Sequence, residues 1–85
     1  MESRTDREYV YTLQLSQGRF YVGMTAQLSF RIAQHWSGQG AKFSQRFKPI
    51  CVLSVIEAAP GCGRALEQAT YAAAAEKFNV KVPLV

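Results

Sequence analysis

From Tyr9 to Leu15 the chain alternates Tyr9, Tyr11, Leu13 and Leu15 with Val10, Thr12 and Gln14. A period of two is the signature of a half-buried β-strand. Ser16-Gln17-Gly18 follows as a turn signal, and Arg19 to Met24 reads as a second strand. Two such runs across a short turn predict a β-hairpin. Two strands alone are marginal in water, so the rest of the chain has to cover this hairpin.

The following residues supply what the hairpin needs. Thr25 is suited to cap a helix from about Gln27 to Trp36, with Leu28 and Ile32 as its core-facing stripe. Ser37-Gly38-Gln39-Gly40 ends that helix. Ala41 to Lys48 is basic and aromatic and reads as a loop, punctuated by Pro49. Ile50 to Ala58 is rich in β-branched residues and reads as a third strand. Pro60-Gly61-Cys62-Gly63 is a break, and Arg64 to Phe78 is a second long helix. Its four consecutive alanines, Ala72 to Ala75, would let it lie close on a sheet. Residues 79–85 form a short tail with β-branched character. The order β-β-α-β-α predicts an α+β fold, a three-stranded antiparallel sheet flanked by helices. Residues 1–8 read as a polar tail and 9–85 as one domain, with no repeats and no long linker.

Eighty-five residues suit one domain, and a 48% hydrophobic composition can build its core without staples. A formal charge of +4 and a pI near 9.4 favour an anionic partner, nucleic acid first and a membrane surface second. No apolar run approaches the roughly 20 residues of a membrane span. No signal-peptide core follows the charged segment Met1 to Glu8, so the expectation is a cytoplasmic protein with Cys51 and Cys62 as free thiols. A single histidine excludes the common zinc-finger patterns.

Four kinds of side chain carry chemistry. Arg31 and His35 stand four apart and share one helix face beside the Leu28–Ile32 stripe. That places them at the rim of the sheet; the plainer alternative is a surface pair. Glu67 shares a helix face with Tyr71, Ala74 and Phe78. A carboxylate there is costly unless it is paired or binds a cation. A hard cation such as Mg²⁺ takes one or two carboxylates plus phosphate oxygens and water. Alternatively, Glu67 simply favours the positive N-terminal end of its helix. Tyr11 and Tyr21 fit either core aromatics with wet hydroxyls or site residues. Trp36 and Phe43 flank the basic segment, where aromatics stack on unpaired bases or close a small core.

As an ordered set these residues resemble the GIY-YIG nuclease family. Tyr9-Val10-Tyr11 resembles its first motif, with Tyr9 where glycine is usual, and Tyr21-Val22-Gly23 its second. Thr25, Leu28, Arg31 and His35 fall where the family helix carries a Thr, a Leu, its catalytic Arg and, in many members, a His. Gly40-Ala41-Lys42-Phe43-Ser44 resembles the Gly-Ala-Lys-aromatic-Thr loop of the small single-domain members and of those related to excision repair. Ala65-Leu66-Glu67 resembles the segment bearing the metal-binding Glu. Asn79 stands where some members carry a further active-site Asn.

The resemblance implies a GIY-YIG fold and a metal-dependent DNA endonuclease that leaves 5′-phosphate and 3′-hydroxyl ends. Glu67 would hold one divalent metal, Mg²⁺ with Mn²⁺ able to substitute. Arg31 would hold a phosphate oxygen, and Tyr11 would act as general base with His35 as hydrogen-bond partner. A phenol needs cationic neighbours for that role near neutrality, and Arg31, His35 and metal are the expected sources. Tyr21 would orient water or phosphate, and Asn79 completes the expected catalytic set. Lys42, Arg46, Lys48, Trp36 and Phe43 are the expected DNA contacts. With no recognition domain in the sequence, the expected choice is single-stranded or distorted DNA with little sequence selection. The alternatives are a non-cleaving nucleic-acid-binding module on the same fold and a sequence-directed homing or restriction-type nuclease. Monomer and homodimer both remain open, because one site cuts both strands only as a dimer or in two encounters.

Overall fold

The computed structural model describes residues 7–78. Strand β1 (Glu8–Leu15) and strand β2 (Phe20–Thr25) form the hairpin across a tight turn at Ser16–Gly18, where Gln17 (φ 62°) and Gly18 (φ 71°) are left-handed. Helix α1 (Leu28–Trp36) and the short helix α2 (Lys42–Arg46) come next. Strand β3 (Pro49–Ala58) and helix α3 (Gly63–Phe78) complete the described residues. The sheet is antiparallel throughout, with order β2-β1-β3. The predicted α+β class and three-stranded sheet are therefore observed.

The central strand sorts its side chains as its alternation requires. Tyr11, Leu13 and Leu15 point to one face and join Tyr21 and Phe47 beneath Leu28 and Ile32 of α1, Phe43 of α2 and Ala41 just before it. Val10 points to the other face and packs with Phe20, Val22 and Ala74, bordered by Leu66 and Tyr71 of α3. Glu8 begins β1 and holds α3 in place, its Oε1 accepting the Gly63 N–H at 2.8 Å. A carboxylate at a helix N-terminus is favoured by the partial positive charge there.

Three local expectations are corrected. Residues 42–46, read as loop, form α2, because the Gln45 N–H donates to the Ala41 carbonyl and the Phe47 N–H to that of Phe43. Phe43 and Phe47 meet at i,i+4 spacing with ring centroids 5.0 Å apart, a helical pair. Of the alanines from Ala72 to Ala75, only Ala74 is buried; Ala72 and Ala73 are exposed, Ala73 in a groove it lines with Thr12 and Ser54. Thr25 does not cap the first turn of α1; its Oγ1 accepts the Gln27 N–H at 3.0 Å, just ahead of the helix.

β3 behaves differently from the other strands. It is an edge strand, and the helices lie over β1 and β2, so Ile50, Val52, Leu53, Val55 and Ile56 are 41–57% exposed. Cys51 and Cys62 are exposed free thiols.

The contrast between central and edge strands sets an expected stability pattern. Leu13→Ala, at a site with no exposure, costs about 2–5 kcal/mol through lost burial and a residual cavity. Leu53→Ala on β3 costs less than about 1 kcal/mol. Urea denaturation of both variants checks this; equal losses would mean that β3 is covered as deeply as β1.

Candidate active site

Gly23 sits at the centre of the hairpin's contribution. It pairs with Tyr11 across the β1–β2 ladder. A Cβ there would lie 2.5 Å from the Tyr11 hydroxyl and 2.8 Å from the Tyr21 ring. Only glycine lets both phenols approach the same stretch of backbone. Their ring centroids are 6.1 Å apart, and Tyr11 is fully buried.

Helix α1 brings the other two groups to the phenols. His35 is 1% exposed and packs edge-on against Tyr11 (centroids 5.5 Å apart) and tilted against Tyr21 (5.0 Å). Its Nε2 is 2.7 Å from the Tyr11 hydroxyl, and its Nδ1 is 2.7 Å from the Ser44 Oγ. Ser44, also 1% exposed, donates to the Ala41 carbonyl at 2.9 Å. Arg31 acts on both phenols through its positive charge and opposes the effect of burial on each. Its Nη1 donates to Gln34 Oε1 at 2.9 Å, which steadies the guanidinium.

Glu67 enters from α3. It is only 7% exposed, and among the described residues its carboxylate has no hydrogen-bond or ion-pair partner. Its charge reaches Tyr21 and helps to raise that phenol. A buried carboxylate without a partner is costly and calls for a cation. Among the described residues no three of His, Cys, Asp and Glu gather into a metal cluster. The donor set present is thus one carboxylate, which suits a hard divalent ion completed by phosphate oxygens and water.

The electrostatics of the cluster run against charge. Burial pushes the Tyr11 hydroxyl far above the usual phenol value, and Tyr21 adds to the rise while Arg31 opposes it. Burial raises Tyr21 as well, again with Arg31 opposing. Burial raises the Glu67 carboxyl, with Arg64 pulling the other way. Burial lowers His35 to about 4, aided by the Arg31 charge. His35 is therefore neutral at pH 7. This corrects the expectation that it supplies positive charge to Tyr11; its contribution is a hydrogen bond.

The structure gathers Tyr11, Tyr21, Arg31 and His35 in one cluster and sets Glu67 within electrostatic reach of Tyr21. Asn79 lies outside the described residues. Lys42, Arg46 and Lys48 are exposed, and Trp36 is 45% exposed at the end of α1. Phe43 is half-buried against Phe47 and the core below, so its ring is engaged in packing. Arg19 and Arg46 stack over Phe47, their guanidinium carbons 4.4 Å and 5.5 Å from the ring centre. Two supporting residues escaped the sequence reasoning. Gln34 was detectable as an i+3 neighbour of Arg31. Ser44 had no signal of its own beyond its place in the loop motif.

Two phenols, a guanidinium and an imidazole thus meet on a three-stranded sheet, with a buried carboxylate in electrostatic reach of one phenol. The family model described as the GIY-YIG catalytic domain matches residues 7–78, and the chain belongs to the GIY-YIG nuclease family. It is similar to small proteins designated UPF0213. The one from Cupriavidus pinatubonensis is 40% identical over 48 residues, which is 56% of this chain and 53% of its own. The one from Cupriavidus necator is 42% identical over 45 residues, 53% and 49% of the two chains. The one from Halobacterium salinarum is 36% identical over 42 residues, 49% and 54% of the two chains. The matched part spans about half the length of these curated relatives. No solved structure matches the chain. Among the described residues, no helix is long and apolar enough to cross a membrane.

The buried imidazole gives folding a pH dependence. Between pH 6.5 and about 4 the unfolded chain binds a proton at His35 and the folded chain does not. Stability from this group is complete above pH 6.5 and falls as the pH drops toward 4. The loss is on the order of 3 kcal/mol. Glu67, raised by burial, acts in the opposite direction, so the comparison has to be made against a variant that keeps it. Denaturation of wild type and His35→Gln across this range measures the difference; parallel curves would show that His35 is not held neutral.

Proposed function

We propose that the chain is a metal-dependent endonuclease that hydrolyses phosphodiester bonds in DNA. The carrying observation is Glu67, a buried carboxylate without a hydrogen-bond or ion-pair partner among the described residues, within electrostatic reach of a phenol in the Tyr11–Tyr21–Arg31–His35 cluster. A DNA phosphate with its divalent cation supplies the two charges this site lacks. Membership of the GIY-YIG family supports the same reaction.

Glu67 would hold the metal, Mg²⁺ or Mn²⁺, and the ion when bound stabilises negative charge on the leaving oxygen. Arg31 presents a planar fork to a non-bridging phosphate oxygen, where its permanent charge favours the pentavalent transition state. Gln34 holds that fork in one orientation. The Tyr11 oxygen receives a proton from the attacking water, with His35 as its hydrogen-bond partner. General-base help of this kind contributes about 10²–10⁴-fold. Tyr21, whose ring lies beside that of Tyr11 at Gly23, orients the water or the phosphate. The products carry 5′-phosphate and 3′-hydroxyl ends.

Lys42, Arg46 and Lys48 supply backbone contacts, which position DNA without reading its sequence. Trp36, exposed where Phe43 is not, is the aromatic open to a base. Duplex DNA hides its base faces, so this surface favours single-stranded or distorted DNA with little sequence selection.

Glu67→Gln is expected to abolish cleavage while leaving thermal stability equal or higher, because a buried charge is removed. Arg31→Lys keeps the charge but loses the fork, and kcat falls on the order of 10²-fold or more. Purified variants are compared on one labelled DNA with Mg²⁺ or Mn²⁺. Cleavage by Glu67→Gln at the wild-type rate would remove the metal site from this reading.

A further inference from the structure

We infer that Ser44 is a positioning residue, fixing His35 in the tautomer whose Nε2 lone pair accepts the Tyr11 proton. The inference rests on the nuclease reading for its catalytic consequence, but not for its structural part.

The direction of the chain follows from its far end. A backbone carbonyl oxygen only accepts, so the single Ser44 hydroxyl proton is used in the 2.9 Å bond to the Ala41 carbonyl. The Ser44 oxygen then has only lone pairs to offer His35 across their 2.7 Å contact. Nδ1 must therefore carry the imidazole proton. A neutral imidazole has one N–H, which leaves Nε2 as an acceptor. The Tyr11 hydroxyl, 2.7 Å away, donates to it. The order is Tyr11 O–H to His35 Nε2, His35 Nδ1–H to Ser44 Oγ, and Ser44 O–H to the Ala41 carbonyl. His35 and Ser44 are each 1% exposed, so the contact between them is removed from bulk solvent.

The backbone is built for this contact. A Cβ at Gly40 would fall 2.5 Å from His35 Nδ1 and 2.9 Å from the His35 Cα. Glycine there allows the chain to cross directly over the imidazole and enter α2 with Ser44 against Nδ1. The five-residue helix that the sequence did not suggest is the device that aims this hydroxyl.

The tautomer decides which way a proton moves. As the attacking water loses a proton to the Tyr11 oxygen, a new O–H bond forms there. The Tyr11 O–H bond facing His35 breaks, and its proton passes to Nε2. The imidazole becomes imidazolium, still donating through Nδ1 to Ser44. In the other tautomer Nε2 carries a hydrogen and Tyr11 has nowhere to send its own. Burial alone disfavours the Tyr11 phenolate, so a neutral phenol with an acceptor behind it is the form this site can use.

The chain has one histidine, so its nitrogen spectrum has a single assignment. Long-range ¹H–¹⁵N correlation on histidine-labelled, metal-free protein at pH 7 should show Nδ1 protonated and Nε2 unprotonated. Ser44→Thr keeps the hydroxyl and should keep that pattern. Ser44→Ala should move His35 toward the Nε2–H form and lower kcat about 10- to 100-fold with KM little changed, the usual scale for a lost orienting partner. Ser44→Thr should restore the rate. Nε2–H in the wild type would overturn the inference whether or not the alanine variant folds. A folded Ser44→Ala with the wild-type tautomer and rate would overturn it too. The expected spectrum in a protein that cuts no DNA would uphold the tautomer and defeat the nuclease reading instead.

Discussion

A neutral imidazole held at both ring nitrogens ties the molecule together. His35 comes from α1, Tyr11 from the central strand and Ser44 from α2, and two 2.7 Å contacts bind the three. A buried hydrogen bond adds only about 1 kcal/mol net, but leaving one partner orphaned costs about 1–3 kcal/mol. The three elements are therefore fixed relative to one another by the penalty for separating them. Two glycines serve this point: Gly23 leaves space for the Tyr11 hydroxyl, and Gly40 leaves space for the imidazole.

Burial gives the cluster its chemical character. It raises Tyr11, Tyr21 and Glu67 and lowers His35, always favouring the uncharged form. Arg31 is the permanent charge inside, and its guanidinium opposes the rise at both phenols. Such a site is electrostatically unfinished by itself. A phosphate diester would answer Arg31, and a divalent cation would answer Glu67. Concentration of perturbed groups in one place is what active sites commonly show.

The hairpin and both long helices were legible because their periods are strong: two in Tyr9 to Leu15, and Leu28 with Ile32 on one face of α1. α2 was not, since Gly40 and a run of polar residues read as loop. The pair Phe43 and Phe47 was the available helical signal. Exposure on β3 was also hidden, because β-branched residues mark a strand without saying what covers it. The spatial grouping of Tyr11, Tyr21, Arg31 and His35 was legible in their order; the protonation of His35 was not. The need of a phenolic base for cationic neighbours suggested a charged His35, whereas the loop at Gly40 closes over the ring and burial reverses the expectation. Ser44 and Gln34 act only through contacts that tertiary structure creates.

The reaction itself is tested by what is left at the cut. End-labelled single-stranded, duplex, nicked and branched DNA would be incubated with the purified protein, with Mg²⁺ and with a chelator, and the product termini mapped. Metal-dependent breaks with 5′-phosphate and 3′-hydroxyl ends, faster on unpaired or branched DNA than on intact duplex, are the predicted result. Intact DNA of every form with Mg²⁺ or Mn²⁺ present, or breaks that persist in the chelator, would contradict it.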